Sequence, residues 1–313
     1  MKFSLPATIL LLTVTGCAHL SPEQTQAMTR PFPYPSDLPG ARVEIYKTVG
    51  DVDLQAYIFE PSKHRQGDNS AAIVFFFGGG WRQGSPNQFQ PHAAYLASRG
   101  MVAIVADYRV SARHGVKAVE CVRDAKSAIR WTRENAERLG IDPDRIVAAG
   151  GSAGGHLAAC TGLIGDFDEG SEDTTISSVP NAMVLFNPAL VLAPIDDIPF
   201  GAERVASLTN RMGVDPARLS PYHHIVKGAP PTIIFHGRED TTVPFATAQA
   251  FTEAMEDAGN RCVLIAYDNQ GHGFFNYGRN ENEMFRATTS EMHNFLQGLG
   301  YVQGPDRVER FVR

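Results

Sequence analysis

"IVAAGGSAGGHLAAC", residues 146–160, decides how the rest of the chain is read. An apolar run stops at Gly150-Gly151, a helix-compatible stretch resumes at Ala153, and Ser152 stands alone between them. Glycine weakens the interior of a helix or strand, so four of them beside one serine are costly unless the turn requires them. The pattern Gly150-Gly151-Ser152-Ala153-Gly154 fits G-x-S-x-G, a sharp strand-to-helix turn that strains the serine backbone and exposes its hydroxyl. Bulky neighbours would collide with the strand and the helix there. The helix N-terminus also turns its partial positive charge toward any anion that forms. A glycine-rich turn with an incidental serine is the competing reading, and partners elsewhere in the chain must decide.

A serine hydroxyl needs a base, and the base needs an acid to orient it. "IIFHGREDTTVP" places Asp240 in the loop after a buried strand, and "AYDNQGHGFFN" places His272 between two glycines after another. The order serine, acid, histidine on strand-end loops is that of a hydrolytic triad. Of the ten histidines, only His272 and His293 follow Asp240, and His293 falls inside the closing helix. His236 reads as packed at a strand end. His223 and His224 lie in a proline-rich insertion, where solvation and substrate contact stay equally open. Glu239 is the rival acid. "FFFGGGW" ends another strand at Gly78-Gly79-Gly80, whose backbone can turn two N–H groups toward one point, with the Ala153 N–H as a third. Trp81 beside that loop, and Phe274 and Phe275 beside His272, either narrow an acyl site or pack in the core.

The flanking pattern predicts an α/β fold, a mostly parallel sheet flanked by helices. "ARVEIYKTV" and "VDLQAYIFEP" alternate like an antiparallel pair at a sheet edge. "AAIVFFF", "MVAIVAD", "RIVAAG", "AMVLFN", "PTIIFHG" and "CVLIAYD" read as strands, the first two as continuous apolar runs buried on both faces. Helices are predicted over 89–99, 116–139, 153–163, 243–258 and 281–299, with a turn at "IDPD". Residues 188–230, rich in proline and carrying only short helical patterns, are predicted to form a small cap. That insertion also carries Asp196, Asp197, Glu203, Arg204, Arg211, Asp215 and Arg218, a poor lining for a long acyl chain and a reason to expect short ones.

With 313 residues and 43% hydrophobic content the chain can build one large domain, and its formal net charge of −6 argues against nucleic acid as a partner. Lys2 precedes the apolar stretch 5–14, which meets "VTGC" at Cys17. Ten apolar residues suit a signal-peptide core and are too few for a bilayer span. The small-residue pair before Cys17 resembles the lipobox of bacterial lipoproteins, although Val14 replaces the usual leucine and Pro6 interrupts the core. A plain cleaved signal and a buried N-terminal segment are the alternatives. The expectation is an exported protein lipid-anchored at Cys17 to a bacterial membrane, with residues 1–17 as signal, 18–40 as tether and 41–313 as domain. Cys121, Cys160 and Cys262 remain. The first two could pair, but burial as small hydrophobes is preferred. No cysteine–histidine spacing suggests a zinc site.

Together these segments resemble a serine esterase of the α/β-hydrolase superfamily, close to the hormone-sensitive-lipase-like and bacterial feruloyl/acetyl esterase group. "FFGGGW", "VADYR", "VRDAKSAIRW", "LGIDPDRIVAAGGSAGGHLAA", "SPYHHI", "PPTIIFHGREDTTVP" and "GHGF" match that pattern in order, from Ala71 to Tyr277. The resemblance implies Ser152 as nucleophile, Asp240 as acid, His272 as base, and Gly79, Gly80 and Ala153 as oxyanion donors, with no metal or organic cofactor. It implies a small-molecule or oligosaccharide ester as substrate, with acetyl or feruloyl groups on carbohydrate first. Lipid or general short-chain esters, aryl formamides and peptides are the alternatives on the same fold. Where the family usually reads H-G-G-G, Phe77 replaces the histidine, which puts the loop's support in question. Asp107, Tyr108, Arg109 and Asp124 match family positions and read as structural polar contacts.

Overall fold

The computed structural model describes residues 38–195, 198 and 200–312, without the side chain of Arg204. The chain divides into two units, Met1–Phe32 and Pro33–Arg313. The expected signal segment, Cys17, and Asp196 and Asp197 of the insertion lie outside the described residues.

Eight strands form one sheet: β1 (Arg42–Val49), β2 (Val52–Phe59), β3 (Ser70–Phe76), β4 (Val102–Ala106), β5 (Ile141–Gly151), β6 (Ala182–Phe186), β7 (Thr232–Gly237) and β8 (Cys262–Tyr267). Their spatial order is β1-β2-β4-β3-β5-β6-β7-β8. β1 with β2 and β2 with β4 are antiparallel, and every other pair is parallel. The edge hairpin and the parallel series are those predicted. β4, β6 and β7 are buried along their whole length, which is why they read as unbroken apolar runs.

Alternation along the strands feeds two apolar clusters. Ala72, Val74 and Phe76 join one with helices α2 (Ala118–Glu134), α3 (Ala153–Leu163) and α5 (Phe245–Asp257). Ile73 and Phe75 join the other with α1 (Gln90–Ala97) and α6 (Glu283–Gly298). Helices therefore cover both faces, the three-layer arrangement of the α/β-hydrolase fold.

Three boundaries differ from expectation. The predicted "IDPD" turn lies inside β5, where the pairing jumps from Ser70↔Ile141 to Ala72↔Ile146. The extra residues bulge out around Asp142, which accepts the Asp144 N–H at 2.9 Å and pairs with Arg145 at 2.7 Å. Residues 188–230 hold more than short helical patterns. Helix α4 (Ala202–Met212) runs from Gly201 to Gly213, whose positive φ stops it, and buries Leu208 and Met212 on the domain. Leu38, assigned to the tether, is buried, so the packed chain begins at or before it.

Cys121, Cys160 and Cys262 are free buried thiols, so Cys121 and Cys160 do not pair. Burial pushes all three thiols up, Cys262 to about 12. Asp124, fully buried on α2, takes Lys47 Nζ at 2.9 Å and Arg109 Nη2 at 2.7 Å. Those contacts give Arg109 and Asp124 the structural role expected of them.

Candidate active site

The parallel pairing of β3 with β5 sets Phe76 opposite Gly150, so the loops that follow both strands leave the sheet side by side. At the end of β5, Ser152 adopts φ 55° and ψ −117°, and α3 begins at Ala153. A left-handed φ at a non-glycine residue is strained and needs a surrounding that over-determines it. Here the Ser152 N–H donates to Phe186 O at 2.9 Å and the Ser152 carbonyl accepts the His156 N–H at 2.9 Å. A Cβ on Gly154 would sit 2.0 Å from Phe76 O, and one on Gly150 would sit 2.5 Å from the Gly154 carbonyl. Only glycine lets helix and strand close on the turn. That answers why the serine is set among glycines.

The three candidate triad residues meet. His272 Nδ1 lies 2.7 Å from Asp240 Oδ2 and Nε2 lies 2.9 Å from Ser152 Oγ. Asp240 also accepts the N–H groups of Thr242 and Val243 on Oδ1, each at 2.9 Å. Its side chain is fully buried, whereas the rival Glu239 is exposed. Burial alone would raise the Asp240 carboxyl. Hydrogen bonds from His236 and His272 and from the Val243 N–H outweigh it and hold the carboxyl well below the usual carboxylate range. Ionised Asp240 accepts a hydrogen bond from Nδ1–H, which keeps the proton on Nδ1 and leaves Nε2 free to accept from the serine hydroxyl.

The other histidines stay out. His236, fully buried, contacts Val243 O at 2.9 Å and lies 3.4 Å from Asp240 Oδ2, so it supports the acid from behind. His293 contacts Tyr95 at 3.1 Å within α6. His223 and His224 contact Ser220 and Ala217 within the insertion.

The glycine loop lies against the serine: a Cβ on Gly78 would sit 3.3 Å from Ser152 Cβ. Gly79 has φ +128°, and a Cβ there would strike Gln83 O at 2.0 Å, so the loop folds back on itself at that residue. The Gly78 N–H is taken by Gln88 Oε1 at 2.6 Å. Among the described residues no acceptor meets the N–H groups of Gly79, Gly80 or Ala153. Phe77 stacks on Tyr108 and is braced from outside by Arg113.

The aromatic residues expected beside the substrate are core residues. Phe275 is 1% exposed and packs on Phe89 and Phe186, under the elbow rather than above it. Phe274 is buried against Tyr267. A Cβ on Gly151 would strike Phe275 Cζ at 2.7 Å, so that ring packs against the strand end beneath the serine turn. Trp81 is buried too, giving its indole N–H to His156 Nδ1 at 3.1 Å under the guanidinium of Arg211.

Sequence reading missed Asn187. Buried at the end of β6 with φ 35°, it accepts the Gly273 N–H on Oδ1 at 2.9 Å, one residue from His272. It missed Gln88 as well, whose amide links Gly78 to Asn276 Oδ1 at 2.9 Å and so ties the glycine loop to the histidine loop. An Asn-Pro step at a strand end is a turn signal, and nothing local marks what its side chain will hold.

Among the described residues no group of three or more His, Cys, Asp or Glu could hold a metal, and no helix is long and apolar enough to cross a membrane.

Comparison with known proteins places this arrangement. The BD-FAE family model matches residues 57–255, and the dienelactone hydrolase family model matches residues 215–300. Esterase LipC of Mycobacterium tuberculosis is 31% identical over 215 residues, covering 64% of this chain and 52% of that protein. Carboxylesterase NlhH of the same species is 35% identical over 151 residues, or 47% and 46% of the two chains. The chain thus spans about half the length of the curated relatives it matches. Among solved structures, the thermophilic esterase Est2 of Thermogutta terrifontis with propionate bound superposes with a TM-score of 0.82 at 51% identity, covering 86% of this chain and 97% of that one. On the span of the first match, the likeness to Est2 and the sheet that carries the serine turn, the chain belongs to the BD-FAE family of α/β-hydrolase-fold esterases.

Proposed function

We propose that the protein hydrolyses short-acyl carboxylic esters through an acyl-enzyme on Ser152. The observation that carries this reading is the imidazole of His272 set between Asp240 Oδ2 at 2.7 Å and Ser152 Oγ at 2.9 Å. His272 Nε2 takes the hydroxyl proton as Oγ bonds to the ester carbonyl carbon. The carbonyl oxygen gathers the electron pair among the N–H groups of Gly79, Gly80 and Ala153 at the N-terminus of α3. Asp240 stabilises the imidazolium without taking its proton. The alcohol leaves with the proton from Nε2, and water repeats both steps on the acyl-enzyme to release the acid. Ser152→Ala fits the turn, so it should stay folded and lose nearly all turnover of p-nitrophenyl acetate. An organophosphonate probe should label Ser152 alone, and labelling elsewhere would end the assignment. Est2 has been solved phosphonylated by sarin, which supports choosing that probe.

The acyl group is proposed to be acetyl or feruloyl, on a carbohydrate alcohol. Est2 structures with propionate and with butyrate bound favour a short chain, and general short-chain esters are the second reading. A p-nitrophenyl series from C2 to C12 beside methyl ferulate and acetylated sugars separates these. A maximum at C8 or longer would refute both.

Residues 1–17 carry a separate proposal: export and lipidation at Cys17, anchoring the enzyme to a bacterial membrane. Intact mass of the mature protein should show a diacylglyceryl N-terminus that Cys17→Ser lacks. A mature N-terminus without lipid would refute it.

A further inference from the structure

Three arginines flank the candidate site, and among the described residues none has a carboxylate partner. Arg211, on α4, stacks its guanidinium 5.0 Å over the Trp81 ring, and its Nη2 lies 3.7 Å from where a Cβ on Gly80 would stand. Arg82 follows Trp81 on the same loop and donates its backbone N–H to Gly79 O at 3.1 Å. On the other side, Arg279 Nη1 reaches His272 O at 3.4 Å and lies 3.5 Å from the Cβ position of Gly273. Among the described residues none of the three has an acid within ion-pair distance, although Arg238 on the acid loop pairs with Asp268 at 2.8 Å. Partial burial, and then Arg82, lower the pKa of Arg211, so the two glycine-loop cations feel each other. On the loops that carry the triad and the glycine turn, Glu239 and Glu281 are the acids without a cation partner among the described residues, against the three arginines. The chain as a whole is acidic, with 34 acidic against 28 basic residues, so an unbalanced cationic rim at this one place is not a general surface property.

We propose that the site takes esters bearing a carboxylate near the scissile bond, with Arg82 and Arg211 on the glycine-loop side and Arg279 on the histidine side as countercharges. This rests on the ester-hydrolase reading above and narrows it to anionic substrates, of which an ester of an acidic sugar or of a dicarboxylic acid is an example. Guanidinium suits that task because its planar fork meets a carboxylate with two parallel hydrogen bonds.

The test compares matched esters in the full chain: p-nitrophenyl hemisuccinate against p-nitrophenyl butyrate for a charge on the acyl side, and 4-acetoxybenzoate against 4-acetoxybenzamide for one on the alcohol side. The wild type should favour at least one anionic member in kcat/KM, mainly through KM, and the preference should shrink between low and high salt. Arg82→Gln, Arg211→Gln and Arg279→Gln should each lower the anionic-to-neutral ratio several-fold, and the triple variant by roughly tenfold or more. Arg238→Gln, which breaks an existing ion pair, should leave the ratio as it is. Turnover of the neutral esters with no anionic preference, or with a ratio indifferent to salt and to the three substitutions, overturns the carboxylate inference alone. Failure of neutral and charged esters alike overturns the ester-hydrolase reading on which it rests.

Discussion

The hydroxyl of Tyr108 donates to the carbonyl oxygen of Phe77 at 2.7 Å, and the two rings stack with centroids 4.1 Å apart. Both residues are fully buried, and burial raises the phenol's pKa well above its ordinary value, so it remains a donor at any working pH. This pair supports the start of the glycine loop. Tyr108→Phe keeps the stack and removes the donor, leaving a buried carbonyl without that partner. It should cost about 1–3 kcal/mol in urea unfolding and lower kcat more than it raises KM. Unchanged kcat would mean that the loop is held without that bond.

Asn187 is expected to hold the histidine loop through its single acceptor to the Gly273 N–H. Asn187→Ala and Asn187→Gly both remove it, and each should lower kcat on the order of tenfold to a hundredfold. Glycine relieves the left-handed backbone that alanine would strain, so it should recover stability but not kcat. If glycine restores both, the residue serves the backbone only.

Asp124 neutralises two buried cations. Asp124→Ala leaves buried Arg109 without its carboxylate and Lys47 with Glu169 alone, at 2.9 Å, and should destabilise by about 3–5 kcal/mol in chemical denaturation. A loss below about 1 kcal/mol would show that water reaches the cluster.

His92 lies among Phe75, Phe89, Phe186, Phe275 and Phe285, with neither ring nitrogen partnered. Burial lowers its pKa to about 3, and burial likewise lowers His156 to about 4. Unfolded, both take up a proton near 6.5. The unfolded chain therefore binds more protons than the folded one below that pH, and stability falls as pH drops from about 6.5 toward 3. His92→Leu removes one of these groups together with two unsatisfied polar atoms. It should unfold at the same or higher urea concentration at pH 8 and show a shallower loss between pH 6.5 and 4.5. An identical slope would mean that His92 already finds a proton acceptor in the folded state.

Ser152, Asp240 and His272 were legible because each stands on a loop that follows an apolar strand, and because two of them are set among glycines. The sheet was legible for a related reason, since strands buried on both faces leave unbroken apolar runs. The supports were not. Asn187 and Gly273 are 86 residues apart and Gln88 and Asn276 are 188 apart, and an amide in a loop carries no local sign of its partner. Phe274 and Phe275 misled because adjacency to His272 says nothing about whether a ring packs into the core, as both of these do. The "IDPD" stretch was read as a turn before the strand, whereas it bulges inside β5 without changing the strand's direction, and nothing in those four residues tells a turn from a bulge.

The rung that pairs Phe76 with Gly150 has a metric consequence. Parallel neighbours lie about 4.8 Å apart whatever their side chains, so the separation of the two loop stems is a repeat distance of the sheet, not a result of loop packing. Loop substitutions can reorient the N–H donors around the serine, but they cannot widen the gap between the stems. Insertions elsewhere, even the addition of whole segments between later strands, leave that gauge untouched, so the cover over the site can change while the spacing at its base stays fixed.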